Sequence, residues 1–429
     1  MRRLLTAVGF AVVTAAPLTA QIDTTRRPAS RADSLRRKAI QDSLNLMRAL
    51  ESAQAAPAPA QGATGGASGP SNPRMLPDFS AVGDLVGDLS PKGSTQKDGT
   101  RFGVREVELA VQAVVDPYFR GDVFLGISDV EKISIEQAFL TTTSIPDLEI
   151  RLGRYLMPFG KQNTTHRHDL HTIEYPWVIQ KLLTDDGLKG TGVWVSKVLA
   201  PFGFYQELQV TAVDRLRDAA ADLVPFEPAN KSLGGLGYSA RLRNYVDINE
   251  STNFELSGSV LTGKVERAFA TATGDPLVFN GVSATLARQT MLGADLTYRW
   301  RPLQQGLYKS FLFQGEVMHQ INEQNPSAGV QGVPLSSVSA GRDYTGAYAF
   351  ARYQLGQCLF LGGRYDYVQD PTAQGRTLTA GSGYLEWFPS EFSKLVAGYE
   401  RLNQATGAGL NRILLQAAFS LGPHKPHPF

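Results

Sequence analysis

Hydrophobic and polar residues alternate along most of the chain, from about residue 78 to its carboxyl end. The connectors between the alternating stretches are short and long in turn. A strand that crosses a membrane in a barrel needs about 9–11 residues, and its side chains face lipid and lumen alternately. Such barrels have short turns at one rim and longer loops at the other. The pattern therefore predicts an all-β fold, a transmembrane antiparallel β-barrel.

The alternation also predicts the strand count and the two faces. In the stretch 284–300, Leu292 and Leu296 should face lipid, while Asp295 and Arg299 should face the lumen. We expect sixteen strands, an even number that brings both ends of the barrel to the same side of the membrane. The predicted strands are 78–90, 103–115, 118–127, 133–143, 149–157, 190–198, 204–213, 236–247, 253–262, 284–300, 309–320, 344–354, 357–368, 376–388, 393–402 and 411–421.

The first 77 residues have a different composition. Residues 1–20 carry two arginines before an apolar run, which is typical of a secretory signal peptide and too short for a membrane-spanning helix. Residues 21–52 predict a periplasmic helical arm, either solvated and weakly helical or a short oligomerising coiled coil. Residues 53–77 are rich in Ala, Pro, Gly and Ser and predict a flexible linker. We expect residues 78–429 to form the barrel.

Composition and charge exclude some partners. The formal net charge is +2, and no basic run carries interleaved aromatic residues, so we expect no nucleic-acid partner. The single cysteine, Cys358, cannot form an intramolecular disulfide and is interpreted as a small apolar residue of a strand. No cofactor is expected, apart from the zinc considered below.

Several short motifs carry information beyond the alternation. They are Pro77-Asp78-Phe79-Ser80, Asp116-Pro117-Tyr118, Gly153-Arg154-Tyr155, Phe159-Gly160 and Asn163-Thr164-Thr165-His166-Arg167-His168. Together they resemble a family of outer-membrane barrels labelled as porins or as zinc-regulated outer-membrane receptors. The Gly-Arg-Tyr and Phe-Gly motifs also resemble anion-selective, phosphate-type porins. The resemblance implies a location in the outer membrane of a Gram-negative-type bacterium.

The carboxyl end adds a more general resemblance. Outer-membrane barrels commonly end on an aromatic residue that the insertion machinery recognises, and here either Phe419 or Phe429 could serve. The expected partners are therefore outer-membrane lipid, the insertion machinery, and small solutes or ions. A homo-oligomer is left open.

The long connector 158–189 is the main chemical candidate. It is the third outer loop, which in sixteen-stranded general porins folds inward and narrows the channel. Its candidate residues are His166, His168, His171, Asp169 and Glu174. An i, i+2 spacing puts two imidazoles on one face of an extended segment, and zinc accepts histidine and carboxylate ligands. Two interpretations stay open, a metal-binding site and a polar constriction whose histidines bond to the barrel wall or to water.

Charges of both signs occupy predicted lumen-facing positions. They can set up a transverse field across the pore, or they can neutralise one another along the wall. The candidate pore-lining residues are Arg105, Arg120, Asp122, Glu136, Arg151, Asp295, Arg299, Arg364 and Asp366.

These observations predict a porin for passive diffusion of small hydrophilic solutes or ions, narrowed by the loop 158–189. The segment before the first strand is too short for the plug of an energised receptor. A zinc-binding receptor and a structural envelope anchor without transport are the alternatives. An enzyme is not expected. His319 is the one histidine in a predicted strand, with Glu316 close in sequence, and no serine-containing nucleophile motif is near it.

Overall fold

A computed structural model describes the greater part of the barrel chain. The described residues are 77–96, 99–128, 132–214, 216, 233–267, 285–322, 343–373 and 375–422. They belong to a compact unit of residues 70–429. The predicted signal peptide, helical arm and linker, together with Phe429, lie outside the described residues, so those predictions stand as they were made. Among the described residues, no helix is long and apolar enough to cross a membrane.

Sixteen antiparallel strands close into one barrel. A short helix, α1 (Trp177–Leu182), lies between β5 and β6. The strands are β1 (Asp78–Asp88), β2 (Phe102–Val114), β3 (Phe119–Ser128), β4 (Lys132–Thr142), β5 (Leu148–Leu156), β6 (Lys189–Leu199), β7 (Tyr205–Val213), β8 (Gly237–Asn249), β9 (Thr252–Arg267), β10 (Thr285–Trp300), β11 (Phe311–Asn322), β12 (Tyr344–Gln354), β13 (Leu359–Asp370), β14 (Arg376–Ser390), β15 (Ser393–Asn403) and β16 (Leu410–Leu421).

Each strand pairs with its neighbours in sequence, and β1 pairs with β16 to close the circle. The closing register runs from Ala81 opposite Leu421 to Asp88 opposite Leu414. Closure pairs every strand edge, as a barrel in lipid requires. The predicted fold and the count of sixteen strands are confirmed.

The predicted strand limits are right to within a few residues, with one larger difference. β9 continues to Arg267 rather than ending at 262, because it stays paired with β10 as far as Thr285. The connectors at the rim where β2 meets β3 are mostly short, and we call this the turn rim. The opposite rim, the loop rim, carries the long connectors, but its connectors at 129–131, 371–375 and 404–409 are short as well.

The two faces of the barrel follow the alternation. Along β16, Ile413, Leu415 and Phe419 are exposed on the outside, whereas Leu414 and Gln416 are buried inside. The outer face therefore forms the apolar band that a membrane-spanning barrel needs.

Two bulges interrupt this alternation and change which side chains face inward. The register between β1 and β2 passes over Arg105, and the register between β3 and β4 passes over Glu136. A bulge adds a residue to one strand and re-aims its side chain. Arg105 accordingly bonds to Asp84 on the inner face, and Glu136 contacts Lys189 there.

Candidate functional site

The connector between β5 and β6 lies inside the barrel. We call residues 157–188 the inner loop. Its apolar side chains are almost completely buried, which is unusual for a loop at a water-filled pore. They are Met157, Phe159, Leu170, Ile173, Tyr175, Val178, Ile179, Leu182, Leu183 and Leu188.

The inner face of the barrel supplies apolar partners for this loop. With the inner loop they form one continuous hydrophobic core. Alternation alone did not reveal this core, but apolar residues at lumen-facing positions were a usable signal, since a water-filled lumen does not need them. The partners include Val213, Leu261, Met291, Met318, Val368, Leu378, Leu402 and Leu414.

The Phe-Gly motif begins the descent of the inner loop into the lumen. The Phe159 ring lies against Gly293 of β10, where a Cβ would be 3.0 Å from the ring. Gly160 has φ +66°, and a Cβ there would collide with the carboxylate of Glu316. The next residues bond to that wall, since the backbone N–H of Gln162 donates to Glu316 Oε1 at 2.6 Å. The motif therefore fits the close approach of the chain to β10 and β11.

His166 connects the inner loop to β2 and β4. Its Nδ1 lies 2.7 Å from Glu108 Oε2, and its Nε2 lies 2.7 Å from the side-chain nitrogen of Gln137. Burial lowers the pKa of His166, but the hydrogen bond and the charge of Glu108 outweigh burial and raise this pKa to about 9. The Nδ1–H of His166 therefore donates to the Glu108 carboxylate at neutral pH.

The other two histidines respond differently to their surroundings. His168 is buried and its ring centroid lies 5.5 Å from that of His166. His171 stacks on Phe350, with its Nδ1 3.7 Å from Glu386 Oε1. Burial lowers the pKa of both His168 and His171. The three histidines of the inner loop therefore do not share one pKa, since that of His166 is raised and those of His168 and His171 are lowered.

The structure divides the candidate metal ligands. Glu108, His166 and His168 bring their ligand atoms within 4.8 Å of one another. Asp169 lies beside this group, with Oδ2 3.7 Å from His168 Nε2. His171 and Glu174, by contrast, face other parts of the wall. Of the five candidate residues, the structure thus brings His166 and His168 together, and it adds Glu108, a strand residue that the loop sequence could not reveal.

Glu174 is held by the last strand. Both of its carboxylate oxygens accept hydrogen bonds from Arg412 Nη2, at 3.0 and 2.9 Å. Burial raises the pKa of Glu174, but the charge of Arg412 outweighs it and the net pKa is lowered. Glu174 is therefore a charged anchor of the inner loop.

The predicted pore-lining residues all lie on the inner face, and most are in ion pairs with neighbouring residues. Neighbouring charges on one wall thus neutralise one another, in keeping with the second of the two alternatives for the lumen. The pairs are Arg105 with Asp84, Arg120 with Asp122, Glu136 with Lys189, Arg151 with Glu149, Asp295 with Arg241, Arg299 with Glu255, and Arg364 with Asp366.

One carboxylate gathers several cations on the wall formed by β8, β9 and β10. Glu255 lies 2.7 Å from Lys161 Nζ of the inner loop and 3.3 Å from Arg243 Nε. Arg241 and Arg299 each approach it to 3.8 Å. We call these four cations and Glu255 the Glu255 cluster. The side chains of Glu255 and Arg241 are each 3% exposed. The other three cations, Lys161, Arg243 and Arg299, are 21–38% exposed and face the water.

His319 and Glu316 lie on opposite faces of β11. Glu316 is buried inside, whereas Val317 and Ile321, on the face of His319, are exposed outside. His319 bonds to Thr345 Oγ1 on that outer face. These two residues therefore cannot act together as a catalytic pair.

Comparisons with known proteins place the fold. No family model matches the chain. An uncharacterized protein of Aquifex aeolicus is 25% identical over 343 residues, which cover 76% of this chain and 70% of the relative. Among solved structures, a loop-deletion mutant of Vibrio cholerae OmpT is similar with a TM-score of 0.52 and 14% identity, covering 81% of this chain and all of that one.

Two further structures agree. Pseudomonas putida OprB has a TM-score of 0.51 and 9% identity, over 80% of this chain and 94% of that one. An anion-selective porin from Comamonas acidovorans has a TM-score of 0.51 and 12% identity, over 81% of this chain and 99% of that one. At these identities the likeness is one of fold. The chain has the barrel fold of outer-membrane porins.

Proposed function

We propose that this protein is an outer-membrane porin for passive diffusion of small hydrophilic solutes, with a preference for anions. The apolar outer band and the closed barrel support a place in a lipid bilayer. The porin fold supports the outer membrane, with the turn rim in the periplasm. The observation that carries the preference for anions is the Glu255 cluster.

The inner loop supports a narrow pore. It bonds to strands around the circumference: Lys161 to Glu255 of β9, Lys181 to Asp370 of β13, and Glu174 to Arg412 of β16. A loop tied on several sides occupies much of the lumen. Solutes must then pass close to its surface and to the wall beside it.

The net charge of the Glu255 cluster, and the greater exposure of three of its cations, support the anion preference. Four cations surround Glu255, and Asp295 and Glu207 add two more acids. The balance is four positive and three negative charges, or +1. The acids are 0–11% exposed, whereas Lys161, Arg243 and Arg299 are 21–38% exposed. A passing solute thus meets the cations first, and such a surface attracts anions.

Planar-bilayer recording of the purified chain tests the proposal. We expect stepwise currents. Across a potassium chloride gradient, the reversal potential should have the sign of the chloride equilibrium potential. Silent membranes, despite a folded barrel, would favour a structural anchor. A reversal potential set by potassium would overturn the anion preference and leave a cation-selective porin.

A further inference from the structure

We propose that Glu108, His166 and His168 form a binding site for a divalent transition metal inside the barrel, with zinc as the probe. The site is defined by the geometry of the three residues and goes beyond the proposed function. We call these residues the Glu108 site.

The donor set fits the chemistry of such an ion. Two imidazoles and one carboxylate are ligands that zinc accepts, at bond lengths of about 2.0–2.2 Å. Their ligand atoms already lie within 4.8 Å of one another. Ligands around a tetrahedral zinc are roughly 3.4 Å apart, a distance that follows from those bond lengths. Small side-chain rotations are therefore sufficient to bring the three ligands onto one ion.

Two different elements build the site, and both are held in place. Glu108 comes from the middle of β2, where it is 3% exposed. The histidines come from the short turn of the inner loop, Arg167–Asp169, and the residue before it. The ammonium of Lys394 on β15 donates hydrogen bonds to the backbone carbonyls of His168 and Leu170. These bonds fix the turn opposite Glu108, so the fold positions the ligands before an ion binds.

Asp169 and water are the candidates for the fourth ligand. Asp169 Oδ2 lies 3.7 Å from His168 Nε2, and its side chain is 34% exposed. An exposed carboxylate beside three fixed ligands gives an ion a route from the aqueous part of the lumen. A bound ion takes the place of the proton that His166 shares with Glu108, and so joins the inner loop to β2 through three coordinate bonds.

The test measures zinc binding to the untagged full chain in detergent, after removal of metals with a chelator. The two tail histidines, His424 and His427, lie outside the described residues, so both are replaced by alanine in every protein compared. We expect one zinc ion per chain. Glu108→Gln and His168→Ala should each weaken binding at least about tenfold. His171→Ala, the matched control from the same loop, should bind as the parent does.

Circular dichroism and altered migration on gels after boiling show whether each variant is folded. If His168→Ala does not fold, zinc binding by Glu108→Gln decides the test. Glutamine has the size of glutamate and keeps an oxygen that can accept a hydrogen bond from His166. No binding by the parent, or equal binding by Glu108→Gln, would overturn the site. Binding is measured without a membrane, so a silent bilayer would contradict only the proposed function.

Discussion

Arg412 of the last strand grips both carboxylate oxygens of Glu174 in the inner loop, at 3.0 and 2.9 Å. The same guanidinium also bonds to Glu400 at 2.8 Å. The pair joins the inner loop to the barrel wall. The side chain of Arg412 is only 4% exposed, so the pair is shielded from water on that side. It should therefore contribute to the docking of the loop more than a surface pair would.

Glu174→Gln removes this charge and should weaken docking by about 1.5–3 kcal/mol, the range for a hydrogen bond to a charged group. We expect faster hydrogen exchange in peptides from 158–188 and noisier current steps. Glu250→Gln, at an exposed position on the turn rim, is the control. Unchanged exchange in the Glu174 variant would show that the apolar contacts alone hold the loop.

Cations of the Glu255 cluster should set the ion preference. Replacing Lys161 and Arg299 with glutamine removes two of its exposed charges and should move the reversal potential toward that of potassium. Arg401→Gln removes a cation from an exposed position of β15 on the outer face and should leave the reversal potential unchanged. An equal change in both variants would contradict a role for this wall.

The charge of His166 should make loop docking depend on pH. Its pKa in the folded barrel is about 9, compared with 6.5 in an unfolded chain. The stabilisation that the ion pair with Glu108 contributes is therefore fully present below about pH 6.5 and is lost as the pH rises through about 9. The contribution is on the order of 3 kcal/mol.

Hydrogen exchange of peptides from 158–188, corrected for the intrinsic pH dependence of exchange, measures this effect. Protection should fall between pH 7 and 10, and His166→Gln should remove most of the fall. The same loss of protection in the variant would assign the pH dependence to other groups. Between pH 7.5 and 5.5 little change is expected, since the pKa values of His168 and His171 are lowered.

Gly153 of the Gly-Arg-Tyr motif should be intolerant of a side chain. It has φ +139°, and a Cβ there would collide with the backbone oxygen of Ala138 on β4. Gly153→Ala should reduce the folded yield and cost at least about 2 kcal/mol, through strain and steric overlap. Gly381→Ala, where a Cβ meets open space, is the matched control. Equal yields of heat-modifiable barrel would contradict this view of the motif.

The barrel could be predicted from the sequence because its code is local. The alternation of polar and apolar residues within each strand marks its inner and outer faces, as Asp295 and Leu296 do on β10. Bulges are less visible, since the register between β1 and β2 passes over Arg105 and the alternation alone does not mark that position. What decides these features is the alternation of neighbouring residues and the length of a strand that crosses lipid.

The interior of the site could not be predicted in the same way. The partner of His166 is Glu108, 58 positions earlier in the chain, and the partner of Glu174 is Arg412, 238 positions later. Both pairings depend on how the inner loop crosses the lumen. The pKa values of the histidines depend on the same pairings, so residue type and spacing do not determine them.

The seam between β1 and β16 has a consequence for how the molecule is assembled. Arg105, on the strand next to β1, donates to the carbonyl of Ile173 at 2.7 Å, and the adjacent Glu174 is held by Arg412 of β16. Two adjacent residues of the inner loop, Ile173 and Glu174, thus bind the barrel wall on both sides of the seam. The first and last strands meet over a loop surface that binds β2 on one side of the seam and β16 on the other. Seating the loop and sealing the cylinder are for this reason expected to be a single cooperative event.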